Sequence, residues 1–347
     1  MFKLLSKNNL LMLILITSSV LLFLTDIFLG SVQIPFKSIL NILTQSGSEK
    51  ESWQIIILNN RLPKALAAIL CGAALSVSGL QMQTLFRNPL AGPYILGISS
   101  GAGLGVAIFV MGFSIVGISM ASYPFLYNYG LVLFSFLGSL LVLLILLGAI
   151  YRLKDIMTVL ILGIMLGSII TAFVGIIQYF SFDSQLKSFI MWTMGNLSGV
   201  SNQQILIITP ILLLSLVWSF LVSKQLNLYL LGEDYAKTMG LNVKQFQLTI
   251  ILITAILTGV VTAYCGPIGF IGIIVPHLAR MLSKTSNHQL LTPLSVLLGI
   301  NVLLFADIVS VLPNYETVLP INAISSFIGI PIIIWIIFKN KRITNVG

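Results

Sequence analysis

Leu131-Val-Leu-Phe-Ser-Phe-Leu-Gly-Ser-Leu-Leu-Val-Leu-Leu-Ile-Leu-Leu-Gly-Ala-Ile150 carries no charged side chain on any face. As a helix, a run of that length rises about 30 Å, the thickness of a bilayer's hydrocarbon core. It lies within a longer stretch, Asn88 to Tyr151, without Asp, Glu, Lys or Arg, and charge-free runs recur over 188–223, 245–279 and 317–338. A transmembrane β-barrel would instead alternate apolar and polar residues in short segments. Across the 347 residues, 57% are hydrophobic and 8% charged, against roughly 25% charged in a soluble domain. So little charge cannot cover a water-facing surface, and the fold class is an all-α polytopic membrane protein.

Helices placed at roughly 10–30, 56–85, 94–111, 130–151, 157–180, 203–223, 245–264, 271–284, 294–310 and 322–338 give about ten spans. With the N-terminus inside, only Lys37, Lys50, Arg61, Lys64 and Lys187 of the 18 basic residues fall outside. That asymmetry is the positive-inside rule, and it accounts for the net charge of +9 without a nucleic-acid partner. The expectation is a multi-pass protein of a bacterial cytoplasmic (inner) membrane with both termini in the cytoplasm. Leu10 to Leu29 has no small-x-small cleavage site after it and reads as the first span. No linker or charge block divides the chain, so 1–347 is one transmembrane domain. Cys71 and Cys265 sit inside spans without metal-ligand spacing and read as packing residues.

The same sequence excludes several chemistries. Proton and cation relays are built from ionisable groups deep in the bilayer, whereas Asp26 and Asp307 lie near the outer ends of their spans and the other acids fall in loops. Ion coupling therefore stands as the alternative: a secondary transporter for an apolar solute. The two histidines, His277 and His288, are far apart and have no Glu beside them for a zinc-protease helix. No metal site and no cofactor is expected on this chain. A G-x-x-x-x-G-K-[ST] loop is also missing, so active transport needs ATP and magnesium on another subunit.

Three segments carry an informative layout. In the first, Arg61-Leu-Pro-Lys64 stands at the outer mouth, Ala68, Gly72 and Ser76 form a small-residue stripe, and Arg87-Asn-Pro-Leu90 makes a turn at the inner face. The second is Leu226-Asn-Leu-Tyr-Leu-Leu-Gly232-Glu-Asp-Tyr-Ala236-Lys-Thr-Met-Gly240-Leu-Asn-Val243. The third is Gly266-Pro-Ile-Gly-Phe-Ile-Gly-Ile-Ile-Val-Pro-His277-Leu-Ala-Arg280, followed by Ala306-Asp307, Glu316, Pro320 and Gly329-Ile-Pro331. From about residue 55 to 338 the chain strongly resembles the permease family, FecCD type, of ABC importers for iron-siderophores, haem and vitamin B12. The resemblance implies a type II importer permease fold of ten helices. It also implies a second permease subunit in a homodimer, two cytoplasmic P-loop ATPase subunits, and an extracytoplasmic substrate-binding protein.

Residue roles follow from the same resemblance. Arg61 and Lys64 would dock the binding protein; one further docking charge is missing, since Val311 stands where relatives carry Arg. Asn88 and Leu90, with Met157 and Thr158 of the Asp155 to Thr158 loop, would form the cytoplasmic gate. The segment 228–243 would couple to the ATPase through Leu231, Gly232, Glu233, Asp234, Ala236 and Gly240. By its own physics that segment reads as a short amphipathic helix, with Glu233 paired to Lys237 and an apolar face of Leu230, Leu231, Tyr235 and Met239. Ala68, Gly72 and Ser76, and a second stripe of Gly167, Thr171 and Gly175, are candidate path-lining residues, with helix packing as the commoner use of such stripes. Asn322 replaces a usual Gly, and Asn287-His288-Gln289 replaces Asp-His-Arg. His277 reads as a structural hydrogen-bonding residue.

Overall fold

The computed structural model describes residues 7–44, 46, 49–117, 124–153, 155–311 and 318–339. Among them every regular element is a helix, apart from one antiparallel bridge between Val311 and Val318. The chain runs through α1 (Lys7–Phe28), the short α2 (Phe36–Leu43) and α3 (Glu51–Ile55), a π-turn Ile56–Arg61, and α4 (Leu62–Leu85). A 3-10 turn, Pro93–Leu96, leads to α5 (Ile98–Ala107), a second π-turn Ile108–Gly112, and α6 (Phe113–Ile115). Next come α7 (Pro124–Arg152), α8 (Ile156–Tyr179), α9 (Asp183–Thr193) and α10 (Asn202–Leu221). The chain then passes through α11 (Ser223–Leu230) and α12 (Glu233–Thr238) to α13 (Val243–Cys265), α14 (Ile271–Ser283), α15 (His288–Ser310) and α16 (Ile321–Lys339).

Eight described helices are long and apolar enough to cross a membrane. The remaining two of the ten expected spans are α16, whose 19 residues rise about 28 Å, and α14, which is shorter. At 13 residues, α14 is about 20 Å long, and the chain continuous with it is not helical: Gly266 to Gly269 is irregular, and Phe270 takes a left-handed φ of +67°. Irregular backbone inside a membrane bundle must find partners in the protein. Tyr94 supplies two of them, its hydroxyl accepting from Ile268 N at 3.0 Å and donating to Ile268 O, and Asn322 Oδ1 accepts from Gly269 N at 3.0 Å.

The centre of the bundle is α4, which packs on α15, α13, α14 and α10. In its most apolar window 89% of residues are buried, against 22% for the peripheral α8. Close approach is made by glycines in facing pairs. A Cβ on Gly72 would collide with the backbone of Gly299 on α15, and one on Gly101 of α5 would collide with Gly138 on α7. Asn301 stitches α1 to α15, donating from Nδ2 to Leu15 O at 3.1 Å and accepting from Ser18 Oγ at 2.6 Å.

Candidate coupling site and gate

Short polar caps set the helix ends on the side that carries α12. Asp155 caps α8, accepting from Thr158 N and Thr158 Oγ1 at 3.1 Å each. The N–H of Met157, then that of Thr158, holds the Asp155 carboxyl below the usual carboxylate value. Asn242 caps α13 and Asn287 caps α15 in the same way, at 3.1 and 3.0 Å.

The short helix expected within 228–243 is α12, starting at Glu233, and α11 precedes it as a separate short helix that ends at Leu230. Gly232 and Gly240 bracket α12 with φ of +121° and +87°; those left-handed backbones fix where it starts and stops. The expected Glu233–Lys237 pair does not form. Lys237 instead meets Asp234 at 3.4 Å, an exposed contact worth little, because the Glu233 carboxylate turns inward to accept from Tyr229 Oη at 2.7 Å and Gln247 Nε2 at 3.3 Å. Burial, and then that hydrogen bond to Glu233, pushes the Tyr229 hydroxyl above its ordinary pKa. Leu230, Leu231, Tyr235 and Met239 remain exposed, while Ala236 is buried and holds α12 against the bundle.

The turn after α4 is built by Asn88, whose Oδ1 accepts from Leu90 N at 2.9 Å and whose N–H donates to Gln83 O. Leu90 is exposed, as are Met157 and Thr158 at the start of α8. His277 Nε2 meets Pro89 O at 3.1 Å, the structural role read from sequence. A cleft of about 330 Å³ brings Asp155 and Ile156 together with Glu233, Lys237 and Lys244, so the Asp155 to Thr158 loop and the α12 segment share one wall.

The basic pair Arg61 and Lys64 is not an open docking surface. Both are 7% exposed. Arg61 donates to Ile27 O at 3.0 Å, Phe28 O at 3.1 Å and Val32 O, closing the C-terminus of α1. Lys64 Nζ lies 3.0 Å from Asp307 Oδ1. The carboxyl of Asp26 contacts that of Asp307, so four ionisable groups, Asp26, Arg61, Lys64 and Asp307, cluster between α1, α4 and α15. Sequence position near helix ends suggested solvent; the tertiary fold buries them. Lys64 and Asp307 also reach a cavity of about 490 Å³, which Trp192, Asn196 and Tyr264 help to line.

Ala68, Gly72 and Ser76 are buried against α15 and line no path within the chain; their stripe is packing. The second stripe divides. Gly167 packs near Gly97 and Ser100, while Thr171 and Gly175 are exposed. Gly167 and Thr171 share a groove of about 430 Å³ with Tyr94 and Ser100. Glu316 lies outside the described residues, and Val311 sits in the bridge to Val318.

The FecCD transport family profile matches residues 15–339, nearly the whole of this bundle. The chain belongs to the FecCD transport family. A hemin transport system permease, HmuU of Yersinia pestis, is 36% identical over 329 residues, which is 93% of each chain. The vitamin B12 import system permease BtuC of Escherichia coli O9:H4 is 36% identical over 293 residues, 84% of each chain. The solved inward-facing conformation of a metal-chelate type ABC transporter matches with a TM-score of 0.79 at 27% identity, covering 96% of this chain and 99% of that one. This FecCD chain is thus an importer permease of the ABC kind, a multi-pass membrane protein with the type II importer fold.

Tyr94, Asn322, Asn227, Tyr229 and His288 organise these sites, and sequence reading missed their roles. Two signals were present: Asn322 and the Asn287-His288-Gln289 triplet both depart from the family pattern, and each departure is a hydrogen-bonding position.

Proposed function

We propose that this chain is the membrane subunit of an ATP-driven importer that passes an iron-siderophore, haem or corrinoid ligand from an external binding protein into the cytoplasm. Two copies form the path, and two cytoplasmic ATPases supply the energy. The observation that carries this reading is the exposed apolar face of α11 and α12, where Leu230, Leu231, Tyr235 and Met239 stand 40–63% exposed on a polar segment outside the membrane helices. Such a face, with Asp234 and Lys237 beside it, fits the cleft of a soluble partner. The ligand class rests on the relatives, one named for hemin and one for vitamin B12.

A second reading, ion-coupled secondary transport, draws on the buried Asp26, Lys64 and Asp307, since buried ionisable clusters are what ion-coupled carriers use. One experiment separates the two. The chain is reconstituted in liposomes with its candidate ATPase and binding protein, and uptake of labelled haem, a ferric siderophore and cyanocobalamin is followed. ATP-dependent uptake of one of them, lost without the ATPase, is the expected outcome. Uptake that follows an imposed proton or sodium gradient and ignores ATP would replace it with the second reading.

A further inference from the structure

The turn that joins α4 to the 3-10 segment is held at two points by α11. At the first, Arg87, whose φ is +47°, donates from Nη2 to Tyr229 O at 3.2 Å and lays its guanidinium 5.3 Å from the Tyr229 ring. At the second, Thr84 in the last turn of α4 meets His288 Nε2 at 2.7 Å. The other side of His288 bonds Asn227, whose Oδ1 accepts from His288 N at 2.8 Å and Nδ1 at 2.9 Å. Asn227 Nδ2 in turn donates to Asn287 Oδ1 at 2.7 Å. One short helix thus grips the α4 side of the turn that carries Asn88 and Leu90, directly at Arg87 and through His288 of α15 at Thr84.

The opposite side of the Tyr229 ring is fixed to the α12 segment. Tyr229 is 1% exposed, its ring lies 5.0 Å from that of Phe246, and its hydroxyl donates to Glu233, the first residue of α12. Gln247 Nε2 donates to both the Glu233 carboxylate and, at 3.4 Å, the Tyr229 hydroxyl. A buried, fully bonded network of this kind is costly to break and moves as a unit. An aromatic side chain has few torsions to absorb a push.

We propose that Tyr229 and Asn227 are positioning residues that transmit movement of α12 to the turn at Arg87 to Ala91. The inference rests on the reading that an ATPase docks on α11 and α12, and goes beyond it by naming the residues between that docking face and the gate. Tyr229 carries the displacement of Glu233 to Arg87, and Asn227 carries the displacement of α11 through His288 to Thr84.

The test uses the complete complex in liposomes with a Leu90→Cys reporter. Cys71 and Cys265 are buried at 2% and 3% exposure, so a water-soluble maleimide reads the reporter. ATP hydrolysis and the ATP-dependent change in labelling rate are measured in the parent, in Tyr229→Phe, in Asn227→Ala and in both together. Tyr229→Phe keeps the ring and the main-chain carbonyl and removes only the hydroxyl. The expected result is intact assembly with the ATPase and hydrolysis within about twofold of the parent, a melting temperature lowered but still well above the assay temperature, and a labelling response reduced at least fivefold in the double variant. A labelling response equal to that of the parent overturns the proposal. So does a parallel loss of assembly, hydrolysis and response in Tyr229→Phe, which would mark a structural role. A parent complex with neither a bound ATPase nor an ATP-dependent response overturns the functional reading, and this inference with it.

Discussion

Lys64 and Asp307 illustrate what a residue's place in the sequence does and does not reveal. Both lie within a turn or so of a helix end, which read as a position at the water interface; the fold closes α1 and α15 over them and leaves a 3.0 Å ion pair with side chains 9% and 2% exposed. Removing one member of such a pair strands a buried charge, at a cost of about 3–5 kcal/mol, whereas replacing both with apolar groups is often nearly neutral. Lys64→Met is therefore expected to lower the melting temperature of the detergent-solubilised protein sharply, because Asp307 is left facing Asp26. Lys64→Met combined with Asp307→Leu should recover most of the loss. A docking residue would behave in the opposite way, with the single change thermally silent and binding-protein affinity reduced. His277 was easier to read from sequence, since a histidine in an otherwise apolar stretch has few uses apart from a hydrogen bond, here to Pro89 O.

At the scale of elements, local sequence rules worked where the cause is local. The acidic pair Glu233-Asp234 at its start and Gly240 at its end mark α12 within a residue or two. They failed where a side chain's partner comes from elsewhere: Glu233 prefers Tyr229 and Gln247 to the nearby Lys237. Two expectations follow. Ala236 is buried and its N–H donates to Gly232 O at 2.9 Å, so Ala236→Pro breaks α12 by removing that donor. In the reconstituted complex, ATP turnover should persist while import per ATP falls severalfold; import at the parent ratio would show that α12 need not be intact. The cap of α8 predicts a dependence on pH. The Asp155 carboxyl is held below its ordinary value, so its contribution to stability is present above the unfolded value of about 4 and is lost as pH falls through the folded one. Asp155→Asn keeps an acceptor and should flatten the acid limb of the melting curve; an acid limb identical to the parent's would mean that another group sets it.

For the whole molecule, composition alone reveals a bundle in a membrane, because 8% charge leaves no other way to cover the surface. Which face of each helix meets which neighbour is not written locally. The stripe of Ala68, Gly72 and Ser76 looked the same as that of Gly167, Thr171 and Gly175, yet the first is buried against Gly299 and the second leaves Thr171 and Gly175 exposed. The gate reading belongs at this scale, since two copies must meet across a path. Asn88 builds the turn itself, so truncating it confounds folding with closure. The cleaner change is Leu90→Ala with Met157→Ala, two exposed side chains without a structural bond. In liposomes with the ATPases but without ATP, that pair should speed the release of a trapped small solute severalfold. Release at the parent rate from well-folded complexes would remove both residues from the gate.

The short helix α14 has a consequence for how the protein is made. At about 20 Å it cannot cross a 30 Å hydrocarbon layer unaided, and although Tyr94 is already present to bond the irregular residues before it, Asn322 reaches them only after α16 has emerged. A ribosome-bound chain ending soon after Ser283 would therefore leave the Gly269 N–H without its acceptor. The connection between α13 and α14 is therefore expected to reach its final packing only when α16 has been synthesised, so that α14 settles later in biogenesis than the longer spans before it.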